Sequence, residues 1–210
     1  MAIKLNIATR NLFPTQVAAV DTPDAAARNV ELRNLILERR SRKPGMAASN
    51  AGGWHSERDL PEWGGPRAAE VIDMARAVAN HMTCDRAGKA VQPAWIITAW
   101  ANVNGPGDSN FCHYHPGSFW SGTYYVDDGG CVADPALGGA FEMLDPRGAA
   151  PAMLAPTLAY AGPGGLAAGA TESIMPRPGL LFLFPSWLHH QVRPYRGQHE
   201  RISVAFNLRI

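Results

Sequence analysis

The second half of the chain is a series of short apolar runs separated by turn residues, and this pattern limits the fold more than any other feature. The runs cover residues 95–103, 118–126, 139–144, 171–175, 180–184, 189–194 and 201–208. Runs of this length that are bounded by turn residues are typical of β-strands. A succession of them predicts an antiparallel β-sandwich or barrel.

The first ninety residues predict helices and loops instead. The sequence Asp-Thr-Pro-Asp at 21–24 combines a capping side chain with an early proline, so we expect a helix from Pro23 to Arg40. A second helix, from Arg67 to Thr83, carries apolar residues along one stripe. The stretch from Pro44 to Pro66 is rich in Gly, Pro, Ser and Asn, which predicts a loop without regular elements.

We therefore predict one structural domain, in which residues 1–90 form an N-terminal helical and loop extension packed on a core of residues 91–210. A chain of 210 residues with 46% hydrophobic and 18% charged residues suits a folded globular protein. Its net charge of +1 gives no reason to expect a nucleic acid partner. Neither a signal peptide nor an apolar run of about 18 residues is present, so we expect no membrane partner and a cytoplasmic location.

Histidines at two places in the chain predict a metal site. His113 and His115 are separated by one residue in an extended segment, so their side chains are expected on one face. His190 begins a later strand and is the better third ligand, because its neighbour His189 would face the other way. Three neutral imidazoles suit iron, zinc, copper or nickel, so the ligand type alone leaves the metal open.

Arg201 and Ser203 predict an anion site on the last strand. Alternation places both side chains, together with Asn207, on one face and the apolar residues between them on the other. A guanidinium fork with a hydroxyl two residues away suits a carboxylate held by two hydrogen bonds. The alternative is an ion pair between strands, with Glu142 or Asp145 as the partner of Arg201.

These residues belong to an ordered set of motifs. The set is HYHP at 113–116, SGTYYV at 121–126, PALGGAF at 135–141, DPR at 145–147, FPSWLHHQV at 184–192 and RISVAFN at 201–207. In this order the motifs resemble those of the 2-oxoglutarate and Fe(II)-dependent oxygenases and, more narrowly, a group of such oxygenases that shares them. The resemblance covers residues 95–207, and its specificity lies in the order of the motifs, since no single one is diagnostic.

The resemblance implies a double-stranded β-helix, which is a mainly β, cupin-like jelly roll, here with N-terminal buttressing helices. It also implies Fe(II) as cofactor and 2-oxoglutarate as cosubstrate. By the same likeness His113 and His190 would bind the iron, and Arg201 with Ser203 would hold the distal carboxylate of 2-oxoglutarate. The implied activity is that of a dioxygenase, an oxidoreductase that hydroxylates an unidentified substrate and releases succinate and CO2.

Residue 115 departs from the pattern, because most of the superfamily has Asp or Glu where this chain has His115. We expect a metal site of three histidines, since the spacing of the first two already supplies the second ligand. The other option is that Glu142 or Asp145 contributes a carboxylate.

Three further polar residues are candidates for contacts to the cosubstrate or the substrate. They are Asn102, Tyr125 and Asn207, and each is equally compatible with a hydrogen-bonded core group. The uncharged segment 148–169 and the loop around Trp54 are candidate lids over the site.

Two alternative functions remain open. A zinc protein, hydrolytic or structural, would also use three histidines, and a jelly-roll protein could bind a ligand without catalysis. The Arg-x-Ser sequence at 201–203 favours the oxygenase over both. The substrate, a small molecule or a peptide, is not identified by the sequence, and a homodimer is an option that it leaves open.

Overall fold

The computed structural model describes residues 6–160 and 169–210. Its α-helices are Ala25–Arg42 (α1), Leu60–Trp63 (α2), Gly65–His81 (α3) and Ala150–Leu154 (α4). Its strands are Ala18–Asp21 (β1), Asn50–Ala51 (β2), Trp54–His55 (β3), Ile96–Asn104 (β4), Ser109–His113 (β5), Trp120–Asp128 (β6), Phe141–Leu144 (β7), Thr171–Ile174 (β8), Leu180–Pro185 (β9), His190–Val192 (β10) and Arg201–Arg209 (β11).

The strands form two antiparallel sheets. The major sheet has six strands in the order β1-β9-β6-β11-β4-β3, and the minor sheet has five in the order β2-β5-β10-β7-β8. Aromatic side chains from both sheets, among them Phe141 of β7 and Phe182 and Phe184 of β9, pack together between them. The mainly β prediction of a double-stranded β-helix with buttressing helices is confirmed.

The helices cover the outer face of the major sheet. Leu32 and Ile36 of α1, with Val71 and Ala75 of α3, are fully buried against the apolar residues of the sheet. Each fully buried leucine, isoleucine or valine side chain contributes about 1.5–3 kcal/mol of hydrophobic stabilisation. The opposite face of the sheet is thereby left free to line a cavity between the two sheets.

The N-terminal ninety residues contribute more β-structure than the sequence predicted. β1 is an edge strand of the major sheet, paired with β9, and the segment predicted as an irregular loop contains β2, β3 and the short helix α2. These strands are only two to four residues long, which is too short for a periodic signal. The division of the chain at residue 90 stays a prediction.

The first helix also begins later than predicted. Asp24 has a φ of +53° and makes no side-chain capping hydrogen bond, so α1 begins at Ala25 and not at Pro23. The hydroxyl of Thr22 donates to the carbonyl of Gly179, 2.8 Å away, in place of capping the helix. A tertiary contact has therefore overridden the local helix-start signal.

The chain crosses from the minor to the major sheet at Gly52 and Gly53. β2 pairs with β5 of the minor sheet, and β3, two residues later, pairs with β4 of the major sheet. Both glycines have positive φ, and a Cβ at Gly52 would collide with the carboxylate of Asp108. Within the described residues, no helix combines the length and apolar character needed to cross a membrane.

Candidate metal centre and active site

Three imidazoles converge in the cavity between the sheets. His113 ends β5, His190 begins β10, and the two are partners in the register of these strands. Potential ligand atoms of His113, His115 and His190 all lie within 4.8 Å of one another. The sequence prediction brought the same three residues together, and their role as ligands stays a prediction.

His115 lines the same cavity as His113. The paired part of β5 ends at His113, two residues earlier. The backbone N–H of His115 donates to the carbonyl of Ser186, 2.9 Å away, in the turn that follows β9. The ring of His115 then lies 5.0 Å from that of His113 and 5.1 Å from that of His190.

Backbone carbonyls fix the orientation of two of the rings. The Nδ1 of His113 lies 2.6 Å from the carbonyl oxygen of Phe111, and the Nδ1 of His190 lies 2.8 Å from that of Leu188. A carbonyl oxygen only accepts, so each Nδ1 carries the proton and each Nε2 has a free lone pair. This is the usual arrangement of a histidine that binds a metal through Nε2.

The third ring is held by a side chain. The Nδ1 of His115 lies 3.4 Å from the Nδ2 of Asn207, and the Oδ1 of Asn207 accepts a hydrogen bond of 2.8 Å from the hydroxyl of Ser121. The sequence suggested that Asn207 contacts the cosubstrate or substrate, whereas the structure places it against His115. Asn207 is therefore in a position to orient a metal ligand.

Burial keeps all three imidazoles neutral. It is the main cause that lowers the pKa of His190 to about 3 and that of His115 to about 4, and the neighbouring His113 lowers both further. Burial also lowers the pKa of His113. The neutral imidazole is the form that binds a metal ion. The donor set therefore fits a divalent transition metal.

Neither of the two acids considered from the sequence lies in this cluster. Glu142 accepts a hydrogen bond of 2.7 Å from Gln191 and faces Arg193 at 3.7 Å. Asp145 accepts hydrogen bonds from Arg147 and from the backbone N–H of Gly169, and the bond from Arg147 is the main cause that lowers its pKa to about 2. Across the described residues, only the three histidines form a potential metal cluster.

Arg201 is a buried cation without a counter-charge. Its side chain is 2% exposed, its Nη1 donates to Asn104 Oδ1 at 3.3 Å, and its guanidinium carbon lies 5.2 Å from the centre of the Tyr125 ring. Its Nε is buried without a hydrogen-bond partner. No ion pair joins Arg201 to Glu142, Asp145 or another acid in the described part of the chain, so its polar groups are available to an anion.

A glycine keeps space beside this guanidinium. Gly139 has a φ of +71°, and a Cβ at this position would lie 3.1 Å from both Cδ and Nε of Arg201. Any larger residue at position 139 would press on the arginine. The second glycine of the PALGGAF motif thus leaves room for the side chain of Arg201.

One cavity is lined by both the histidines and the arginine. Asn102, Ser203 and Tyr125 are partners across β4, β11 and β6, and all three line it. Its other lining residues are Ser49, Trp100, Asn110, His113, His115, Gly122, Thr123, Phe141, Phe184, His190, Val192, Arg201 and Ala205.

Sequence reasoning did not single out Trp100 or Arg58. Trp100 lines the cavity next to His115, His55 stacks on Trp100, and Arg58 lies over the ring of Trp100. Alternation along β4 puts Trp100 on the same face as Asn102, and this was the available signal. Of the candidate lids, the segment 148–169 lies partly outside the described residues, and the loop around Trp54 forms β3.

Comparison with solved structures shows the same fold. A prolyl-4-hydroxylase from Pseudomonas putida is 18% identical with a TM-score of 0.56, and the match covers 93% of this chain and 91% of that one. A prolyl hydroxylase from Trichoplax adhaerens, in complex with a hypoxia inducible factor peptide, is 14% identical with a TM-score of 0.63 over 91% and 82%. HygX from Streptomyces hygroscopicus, with nickel and 2-oxoglutarate bound, is 12% identical with a TM-score of 0.61 over 92% and 82%.

Comparison at the level of sequence identifies the family. No curated protein matches the chain. The model of the family described as "Putative 2OG-Fe(II) oxygenase" matches residues 98–207, just over half of the chain, and this span contains the three histidines and Arg201. The chain therefore belongs to this family and is an oxygenase that uses Fe(II) and 2-oxoglutarate.

Proposed function

We propose that the protein hydroxylates a C–H bond of an organic substrate, with 2-oxoglutarate and dioxygen as cosubstrates and succinate and CO2 as coproducts. The observation that carries the proposal is the buried Arg201, which forms no ion pair with any described residue and lies in the same cavity as three neutral imidazoles. A buried cation is costly unless an anion compensates it. A dicarboxylate that reaches both the metal and Arg201 supplies that anion.

In this proposal His113, His115 and His190 hold the metal on one side and leave its other positions open to ligands. Bound Fe(II) supplies the oxidising chemistry, in which one oxygen atom of dioxygen enters the substrate and the other enters succinate as CO2 leaves. The carbonyl groups of Phe111 and Leu188 hold two of the imidazoles in the tautomer that presents Nε2. The geometry of the site is thus fixed before a metal binds.

Arg201 is proposed to bind the distal carboxylate of 2-oxoglutarate. Its Nε has no other partner, and its Nη1 is shared with Asn104 at only 3.3 Å. Ser203, Asn102 and Tyr125 line the same cavity and offer a hydroxyl, an amide and a phenol to the cosubstrate. A guanidinium that holds two oxygens also sets the orientation of the carboxylate.

Apolar side chains protect the centre from water. The ring of Phe141 stacks on His190 at 5.1 Å, and the ring of Phe184 meets it edge-on at 4.7 Å. Both phenylalanines line the cavity. They limit the access of water on this side, which protects a reactive site from side reactions and strengthens its electrostatic interactions.

Metal analysis and a titration with 2-oxoglutarate test the proposal on the wild type, His115→Ala and Arg201→Ala. We expect His115→Ala to lose metal. Arg201→Ala should keep its metal and lose about thirtyfold or more in affinity for 2-oxoglutarate, because an ionic partner of a buried charge is removed. Arg209→Ala, an exposed arginine on the same strand, is the matched control and should bind normally.

Wild-type protein with Fe(II) and 2-oxoglutarate should also show a visible absorption band and form succinate slowly without substrate. Iron-loaded wild type that shows neither would contradict the proposal. A zinc protein would instead retain zinc through purification. It would not bind 2-oxoglutarate, so Arg201→Ala would have no such binding to weaken.

A further inference from the structure

Trp100 connects the histidine cluster to the segment between β3 and α2. It lies on the cavity face of β4, is 6% exposed, and its ring lies 5.9 Å from that of His115. The ring of His55, from the neighbouring strand β3, stacks on it at 5.5 Å and an angle of 13°. A group that binds at the ring of Trp100 is therefore next to a proposed metal ligand.

Arg58 lies over this tryptophan. Its guanidinium carbon is 5.6 Å from the centre of the Trp100 ring, and the residue is otherwise exposed. A tryptophan ring orders and attracts a guanidinium at this separation. The side chain is thus held in one place while its N–H groups stay free to bind a ligand.

The acids on either side of Arg58 do not neutralise it. Glu57 and Asp59 both face Arg39, at 3.9 and 2.9 Å, and Asp59 also accepts a hydrogen bond from Trp63. Throughout the described residues, Arg58 has no ion pair and no hydrogen bond. Glu57 and Asp59 thus both face Arg39, and neither pairs with Arg58.

The cavity itself has no acidic lining residue in the part of the chain that the structure describes, and it contains Arg201. A divalent metal held by neutral imidazoles would add further positive charge. Bound anions must supply the compensating negative charge.

We propose that Arg58 and Trp100 form an anion subsite that binds a carboxylate of the substrate beside the metal centre. The inference rests on the proposed hydroxylase function, since it identifies the substrate class of that site as small carboxylic acids. Arg58 offers the planar fork of donors that matches a carboxylate, and Trp100, over which it lies, lines the cavity of the three histidines. A substrate without a nearby anion would leave Arg58 unpaired.

Acetate and its neutral analogue acetamide are the probes. The protein is loaded with Co(II) and saturated with 2-oxoglutarate, which occupies Arg201, and the paramagnetic relaxation of the methyl protons of each probe is titrated by NMR. We expect saturable relaxation of acetate in the wild type and none of acetamide. Arg58→Gln should bind acetate about tenfold or more weakly, because a hydrogen-bonded charge is lost.

Two further variants make the test specific. Arg58→Lys keeps the charge without the planar fork and should bind acetate with intermediate affinity. Arg40→Gln removes an exposed arginine of α1 and is the matched control, with affinity like that of the wild type. The subsite is overturned if Arg58→Gln binds acetate like the wild type, or if acetamide binds as well as acetate.

The outcome is separable from that of the proposed function. Succinate formation by the wild type without added acetate tests the oxygenase reaction and involves no substrate anion. If succinate forms and acetate binding does not depend on Arg58, only the subsite fails. If no succinate forms while acetate binding depends on Arg58, the anion site stands and the proposed hydroxylation fails.

Discussion

The two faces of β11 show how one strand serves stability and chemistry at once. On the outer face Ile202, Val204, Phe206 and Leu208 are fully buried against the helices. On the inner face Arg201 and its polar neighbours line the cavity or orient a group that does. Because side chains alternate, the two sets never share a layer.

The two faces of β11 also differ in whether their buried polar groups have hydrogen-bond partners. The outer residues are apolar and need only close packing. The inner face contains the unpaired Nε of Arg201 and the long contact of 3.4 Å between Asn207 and His115. Buried polar groups that lack hydrogen-bond partners are typical of binding sites, where a ligand supplies the missing partners. Substitutions on the outer face should therefore change folding, and those on the inner face should change binding.

Phe206→Ala should give the largest change. The Phe206 ring packs directly over Gly122, where a Cβ would collide with it, so truncation leaves a cavity in the main core. We expect the free energy of unfolding to fall by about 3–5 kcal/mol, measured by urea denaturation. The folded fraction should bind 2-oxoglutarate with unchanged affinity.

The matched control is Phe119→Ala, which removes a half-exposed aromatic ring and should cost much less. If Phe206→Ala weakened 2-oxoglutarate binding in fully folded protein, the two faces of β11 would not be independent.

Asn207→Ala should give the next largest change, on the inner face. A neutral His115 that binds a metal through Nε2 carries its proton on Nδ1. Asn207 accepts a hydrogen bond from this N–H when its side-chain amide turns so that Oδ1 faces His115. The Nδ2 of Asn207 then donates to the hydroxyl of Ser121. Loss of this partner should weaken metal binding about 10–100-fold, as measured by Co(II) titration. The free energy of unfolding should fall by about 1–3 kcal/mol, because the buried hydroxyl of Ser121 loses its partner.

Asn207→Asp sharpens this test, because its carboxylate is a permanent acceptor and should restore or tighten metal binding. Asn110→Ala removes another amide of the cavity that bonds to Ser49 and no histidine, and it should bind Co(II) normally. Equal affinities in Asn207→Ala and wild type would leave Asn207 without a role at the metal.

Most of the fold and the centre of the site could be predicted from the sequence because both depend on local patterns. The alternation of β11 indicated which residues face inward, and the order of the motifs indicated the family. The spacing of His113 and His115 indicated that both face one site, and both line the cavity. The hydrogen bond that joins the backbone of His115 to Ser186 is a long-range contact that the spacing does not contain.

The rest depends on contacts between distant parts of the chain, which no local pattern contains. The position of Asn207 against His115 requires the register of β11 with β6 and the turn after β5. The meeting of Arg58 with Trp100 requires β3 to pair with β4, and β3 is only two residues long. Such pairings are set by tertiary packing.

The smallest expected effect is on the pH dependence of the free energy of unfolding. It compares the buried histidines of the cavity with an exposed histidine of the helical layer. The folded protein holds His190 with a pKa of about 3 and His115 with one of about 4, against an ordinary value of 6.5. Between pH 6.5 and 4 the unfolded chain therefore binds protons that the folded chain does not. The free energy of unfolding of metal-free protein should fall as the pH falls through this window, by at most about 1.4 kcal/mol per pH unit for each histidine.

Urea denaturation in EDTA at pH 7, 6 and 5 measures this slope. His190→Gln removes one of the depressed pKa values, so its stability should depend less steeply on pH. His81→Gln, at the exposed end of α3, should keep the slope of the wild type. An unchanged slope in His190→Gln would mean that burial in the cavity is not what holds this imidazole neutral. The two sides of the major sheet would then not differ in how they affect the charge of a histidine.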